Sequence, residues 1–70
     1  MKLNIGGDIV KEGWKILNIQ NKPGVDFIGD ISNLSQFENN SIEDIYASHV
    51  FEHVTQDKIE ATLQEIYRVL

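Results

Sequence analysis

Residues 2–8 decide the fold, and they read Lys2-Leu3-Asn4-Ile5-Gly6-Gly7-Asp8. The first four residues form a β-prone run, and the two glycines that follow end it in a sharp turn. Three further β-prone runs occur, at residues 14–19, 25–28 and 44–48. Their apolar residues are mostly consecutive rather than alternating, which is typical of parallel strands buried on both faces. The sequence therefore predicts an α/β fold built on a parallel sheet.

An amphipathic helix follows the fourth run. Apolar residues recur there at helical period and form a single stripe: Ile59, Leu63, Ile66, Tyr67 and Leu70. Thr55 is the predicted N-cap of this helix, and no residue of a C-cap type follows the stripe. A shorter helical or turn segment is predicted over residues 31–37.

Length and composition narrow the classes of protein. Seventy residues with 41% apolar content fit one small globular domain, and the lack of cysteine excludes disulfides and thiolate zinc sites. Residues 1–37 carry four Lys and four Asp/Glu, whereas residues 38–70 carry seven Asp/Glu against two Lys/Arg, which accounts for the net charge of −5. That acidity argues against nucleic-acid binding. No apolar run is long enough to span a membrane, so we expect a cytoplasmic protein without a membrane partner.

Polar residues follow three of the predicted strands, where ligands bind in open α/β sheets. Asn18 ends the second strand, Asp30 follows the third, and Ser48 with His49 ends the fourth. Each of these residue types is also common in ordinary turns and caps. Because the carboxyl ends of parallel strands meet at one edge of a sheet, their order predicts a ligand crevice there.

Five blocks, taken in order, resemble a known family. They are Leu3-Asn4-Ile5-Gly6-Gly7-Asp8, Gly13-Trp14, Pro23-Gly24-Val25-Asp26-Phe27-Ile28-Gly29-Asp30, Ser41-Ile42-Glu43-Asp44-Ile45-Tyr46-Ala47-Ser48-His49-Val50-Phe51-Glu52-His53 and Glu65-Ile66-Tyr67-Arg68-Val69-Leu70. Together they resemble the class I S-adenosylmethionine-dependent methyltransferases of the type 11 kind, over essentially the whole chain. The resemblance implies a partial Rossmann-like parallel sheet, made of the first four strands plus the following helix of that fold. Residues 1–70 would then form a truncated methyltransferase-like domain.

The resemblance also implies a cofactor site for S-adenosylmethionine. Gly6 matches the first glycine of the loop that passes under the methionine moiety, and Gly7 stands where the family has a small residue. Asp8 stands where the family has a second glycine. Asn18 stands where the family has an acidic residue that binds both ribose hydroxyls.

Four more positions match the family's cofactor contacts. Asp30 matches the acid that accepts from the adenine amine, and Ile31 matches the neighbour that lies against the ring. Ser48 and His49 match the segment that faces the methionine part. The resemblance identifies no catalytic residue, because methyl transfer depends on positioning and on excluding water. Since Asp8 and Asn18 depart from the family pattern, we expect weak or absent cofactor binding and no turnover from this chain.

Self-association is the first alternative, from a different functional class. The fourth strand would leave one edge of the sheet open, and open strand edges pair with other strands. We therefore expect a marginal monomer, and association with a second copy that covers the edge. On this interpretation the chain is a non-catalytic remnant of the fold.

Zinc hydrolysis is a more remote alternative. His49, Glu52 and His53 form a literal H-x-x-E-H pattern, which in inverted zinc peptidases places two ligands and a general base on one helix. Here the pattern begins where a strand ends, so the two histidines need not share a helix face. We therefore assign no metal ligand to the chain.

Overall fold

The computed structural model describes residues 1–47 and 54–70. It contains a four-stranded parallel sheet, followed by one 3₁₀ turn, Gln56–Lys58, and one helix, α1 (Ile59–Val69). The strands lie in the order β3-β2-β1-β4: β1 (Lys2–Ile5), β2 (Trp14–Asn18), β3 (Phe27–Ile28) and β4 (Asp44–Ala47). All three strand pairs are parallel, and the α/β class and partial Rossmann-like architecture are confirmed.

The core lies on one face of the sheet, here called the core face. Leu3 and Ile5 alternate along β1 and are buried, with Leu17 of β2 beside them. Residues from the β3–β4 connection complete this core, together with the last turn of the helix: Ile31, Leu34, Phe37, Ile42 and Val69. The opposite side, here called the open face, presents Asn4 and Tyr46, which are cross-strand partners in the register of β1 and β4.

The third strand is shorter than the predicted run of residues 25–28. Asp26 lies just before β3 and takes part in the β2 ladder through its side chain. Its carboxylate accepts from the Ile16 N–H at 2.9 Å, and its own N–H donates to the Ile16 carbonyl at 2.9 Å. Because a side chain replaces a backbone acceptor there, regular pairing begins only at Phe27.

The buried face of α1 is not the predicted stripe. Thr62 and Val69 are fully buried and Ile66 is half-buried, whereas Leu63 is 49% and Tyr67 84% exposed. Successive residues are about 100° apart around a helix. The apolar residues of α1 therefore occupy a wider arc of the helix than the arc that the sheet and its loops cover. Part of the predicted stripe is therefore exposed.

Arg68 fastens the β3–β4 connection to α1. Its guanidinium donates to the carbonyls of Leu34 and Phe37 at 2.8 Å each, and to the Asn39 side chain at 2.9 Å. Its Nε donates to Glu65 at 2.6 Å, one turn earlier on the helix. This ion pair raises the pKa of Arg68 and lowers the pKa of Glu65 below its ordinary value.

The C-terminal end of α1 is capped by residues that are distant in sequence. The N–H groups of Asn40 and Ile42 donate to the carbonyls of Arg68 and Val69, both at 2.9 Å. Asn40 reaches this position with a positive φ of 57°. Helix carbonyls without a local cap are thus satisfied by the chain entering β4. At the other end, Thr55 occupies the N-cap position of the 3₁₀ turn without a side-chain cap bond.

Candidate functional site

The carboxyl ends of β1, β2 and β3 meet at one edge of the sheet. The Gly6 N–H, directly after β1, donates to the Leu17 carbonyl at 2.8 Å. The Gly29 N–H, directly after β3, donates to the Asn18 carbonyl at 3.0 Å. The predicted residues Gly6, Gly7 and Asn18 are therefore adjacent, and Asp30 follows one residue beyond Gly29 along the same edge.

The turn at residues 6–8, here called the glycine turn, favours glycine at positions 6 and 7 for two different reasons. Gly6 has a φ of 84°, a left-handed conformation that other residues adopt only with strain. Gly7 lies against the Asn4 side chain, and a Cβ built at residue 7 would lie 2.5–2.7 Å from the amide atoms of Asn4. Asp8, at the end of the turn, is exposed.

Asn18 joins the glycine turn to the loop after β2. Its Nδ2 donates to the Gly7 carbonyl at 3.0 Å, and its Oδ1 accepts from the Gln20 N–H at 2.9 Å. The side chain is half-buried on the same side of the sheet as Asn4, because both residues alternate with core-facing neighbours. One end of the amide thus supports the turn, and the other end supports its own loop.

Asp30 and Ile31 are neighbours with different surroundings. Asp30 is exposed, and its Oδ1 accepts a long bond of 3.4 Å from the Ser32 N–H in the turn that follows β3. Ile31 is only 2% exposed and belongs to the core. Asp30 therefore presents a carboxylate at the edge, while contact of the Ile31 side chain with a ligand ring stays a prediction.

The open face carries a shallow groove of ≈ 160 Å³ beside the glycine turn. Asn4, Lys11, Trp14 and Tyr46 line it, and the ammonium of Lys11 lies 6.0 Å from the Trp14 ring centroid. The Oδ1 atom of Asn4 is buried and has no hydrogen-bond partner among the described residues. Asn4 was missed in the sequence, although a polar residue between the two apolar residues Leu3 and Ile5 of a strand is a recognisable signal.

Several predictions fall on residues 48–53, outside the described ranges. They include the cofactor contacts of Ser48 and His49 and the histidine–glutamate pattern of the zinc alternative. Within residues 1–47 and 54–70, no group of three or more His, Cys, Asp or Glu side chains could hold a metal ion. In the same ranges, no helix is long and apolar enough to cross a bilayer.

Comparison with known proteins gives one match. A family model described as a methyltransferase domain matches residues 4–70, a range that takes in the second half of β1 and all the other described elements. Comparisons with curated proteins and with solved structures found no match.

Proposed function

The chain belongs to the methyltransferase domain family, and from that premise we propose that its strand-end edge binds S-adenosylmethionine for methyl transfer to an acceptor. The observation that carries the proposal is that the glycine turn and Asp30 lie at the same edge of the sheet, at the ends of β1 and β3, the two strands that flank β2. This is where open α/β sheets bind nucleotide-like ligands. The family supports methyl transfer, and the edge supports the choice of cofactor.

The residues at this edge fit two parts of that cofactor. Asp30 accepts only one long bond among the described residues, so its carboxylate has acceptor capacity for an exocyclic amine. The glycine turn brings bare backbone to the edge, because Gly6 and Gly7 have no side chains to keep a ligand away. Ser48 and His49 are assigned to the methionine end on the family resemblance alone.

The chain's own contribution to the reaction is binding and orientation. When bound, the cofactor supplies an electrophilic methyl group. The glycine turn and Asp30 hold its two ends, which fixes the direction in which the methyl group is presented. We assign the half of a methyltransferase that binds the cofactor to this chain, and a cytoplasmic location in keeping with a chain that lacks cysteine.

Binding of S-adenosylhomocysteine, followed by isothermal titration calorimetry, tests this proposal. Removing the Asp30 charge in Asp30→Asn should weaken binding roughly tenfold, because a charge-assisted hydrogen bond contributes about 1.5–3 kcal/mol. Glu60→Gln, which removes an exposed charge from α1, is the matched control and should bind like wild type. Equal affinities of Asp30→Asn and wild type, or no binding by folded wild type, would contradict the proposal.

We also propose a second function, self-association, because β4 lies at one end of the sheet. It pairs with β1 on one side, and its other edge has no partner strand among the described residues. The exposed part of the α1 stripe is formed by Ile59, Leu63, Tyr67 and Leu70. On this interpretation the chain associates whether or not it binds a cofactor.

A second copy of the chain is the proposed partner. A two-fold axis that pairs β4 with β4 in antiparallel orientation would satisfy the backbone groups of both strand edges. The exposed stripe of α1 is a second apolar surface that association would bury. Because each copy carries a net charge of −5, added salt should strengthen the association.

Sedimentation equilibrium over a range of protein concentrations tests self-association. Leu63→Glu should shift the protein to monomer, whereas Gln64→Glu adds the same charge to the polar side of α1 and should leave the association unchanged. A wild-type chain that remains monomeric at high concentration in both low and high salt would contradict the proposal. So would equal effects of the two substitutions.

A further inference from the structure

The geometry points to Asn18 as a positioning residue that holds the glycine turn in place, and not as a ligand for the ribose hydroxyls. The two hydrogen bonds of the Asn18 side chain, to the Gly7 carbonyl and from the Gln20 N–H, are here called the Asn18 clasp. The clasp is a property of the ligand-free chain. Its meaning for the cofactor site rests on the proposed function. In this respect the chain differs from the family pattern, in which an acidic residue at this position binds the ribose.

The side chain of Asn18 is already engaged at both of its polar ends. The bond from Nδ2 to the Gly7 carbonyl, 3.0 Å long, connects loops that are eleven residues apart in sequence. The bond from the Gln20 N–H to Oδ1, 2.9 Å long, closes a turn after β2. An amide has two donor hydrogens and one acceptor oxygen, so this arrangement uses both kinds of group on one side chain.

A carboxylate could not make both bonds. An ionised Asp at residue 18 would accept from the Gln20 N–H as before, but it has no hydrogen to donate to the Gly7 carbonyl. Its second oxygen would then face the carbonyl oxygen of Gly7 at close range. A protonated Asp could donate, so the clasp would return at low pH.

The other side of the turn explains why this clasp matters. Gly7 lies against the end of the Asn4 side chain, so a Cβ at residue 7 would require that side chain to move. The Gly6 N–H adds a bond to the Leu17 carbonyl at 2.8 Å. The turn is thus held between two side chains on the open face, Asn4 and Asn18, and by one backbone bond to β2.

This assignment changes which groups recognise the cofactor. With the Asn18 amide committed to the turn, Asp8 and Asp30 remain as exposed carboxylates near this edge. Cofactor hydroxyls and amines would be recognised by these two residues and by the turn backbone. Replacing Asn18 with the family's acid should therefore weaken cofactor binding, because it frees the turn, and not strengthen it.

The first test uses the ligand-free chain and heteronuclear NMR. In wild type we expect a hydrogen-bond scalar coupling between the Asn18 Nδ2 and the Gly7 carbonyl carbon. In Asn18→Asp at neutral pH, the Gly7 carbonyl resonance should move upfield, and the Gly6 amide should lose about fivefold in exchange protection, the effect of one net hydrogen bond. The Gln20 amide should stay protected in Asn18→Asp and lose protection in Asn18→Ala.

A pH series distinguishes the clasp from a general loss of structure. As pH falls through the carboxyl pKa, Asn18→Asp should recover the wild-type Gly7 shift, and Asn18→Ala should not. Wild type measured at each pH is the baseline. Absence of the scalar coupling in wild type, or a Gly7 shift in Asn18→Asp that equals wild type at neutral pH, would overturn the inference.

Titration with S-adenosylhomocysteine gives the link to the cofactor. Weaker binding by Asn18→Asp than by wild type supports the positioning role, and tighter binding would overturn it in favour of direct contact with the ribose. If wild type does not bind at all, the proposed function fails. The clasp is still decided by the ligand-free measurements.

Discussion

Two loops of this molecule are fastened by side chains of opposite character. Arg68 holds the β3–β4 connection with a charged guanidinium that reaches two backbone carbonyls and the carboxylate of Glu65. Asn18 holds the glycine turn with a neutral amide that makes one bond to each of two loops. The charged contact secures a core-building segment, whereas the neutral contact holds the glycine turn without adding a charge to it. Loss of either residue should therefore have distinct consequences.

Removing the charged contact should have the largest effect on stability. Arg68→Ala leaves the carbonyls of Leu34 and Phe37 without their donor, and a thermal melt should show a Tm lower by roughly 10 °C or more for a chain of this size. Arg68→Lys keeps the charge but not the planar fork, so it should recover only a small part of the loss. A variant Arg68→Ala that melts like wild type would show that the contact is not needed.

Filling the space beneath the glycine turn should have the next largest effect. In Gly7→Ala the new Cβ would lie within 2.7 Å of the Asn4 amide, and the resulting overpacking should cost about 1–3 kcal/mol in chemical denaturation. Adding Asn4→Ala removes the obstacle and should restore part of the loss. If the double variant were no more stable than the sum of the single effects predicts, the collision would not be the cause.

Removing a buried hydroxyl from α1 should have a smaller effect on stability than the two changes above, and it should stabilise the chain. The Thr62 side chain is fully buried, and its Oγ1 has no partner among the described residues. Thr62→Val removes the unsatisfied group at similar volume and should stabilise the chain by about 1 kcal/mol in urea denaturation. Thr62→Ser keeps the hydroxyl and should not stabilise. Destabilisation by Thr62→Val would indicate that the hydroxyl has a partner.

Low pH should weaken the contact between Arg68 and Glu65 and leave the contact between Asn18 and Gly7 intact. Because Arg68 lowers the pKa of Glu65 in the folded chain, the pair stabilises the fold above the unfolded pKa, and this contribution is lost as pH falls through the lower, folded value. Urea denaturation across the acid range should show this loss in wild type and a smaller one in Glu65→Gln. Identical pH profiles for the two proteins would contradict it. The Gly7 carbonyl shift of wild type should stay nearly constant over the same range.

The sequence predicts the positions of the strands and the helix better than it predicts the tertiary contacts that they make. Apolar runs located all four strands, and glycine or proline signals ended the first three, because those signals are local. The length of β3 was misjudged, and the buried face of α1 could not be predicted, since both depend on residues that are far along the chain. The Asp26 carboxylate replaces a ladder acceptor for Ile16, and the position of the β3–β4 connection decides which side of α1 is covered.

In the candidate site, too, the sequence predicts local features but not the contacts between distant residues. Gly6, Gly7, Asn18 and Asp30 could be placed at one edge because strand ends converge in any parallel sheet. The bond from Asn18 to Gly7 could not be read from the sequence, because it joins two loops whose approach depends on the register of β1 and β2. The roles of Ser48 and His49 rest on the family resemblance.

The most direct test of the central claim is an amide-resolved NMR titration of the full chain with S-adenosylhomocysteine. We expect saturable shifts at Gly6, Gly7 and Asp30, on the strand-end edge, and unperturbed amides along the exposed side of α1. A folded sample in which these three amides do not shift, or in which saturable shifts appear only in the Trp14 and Tyr46 groove, would contradict the account.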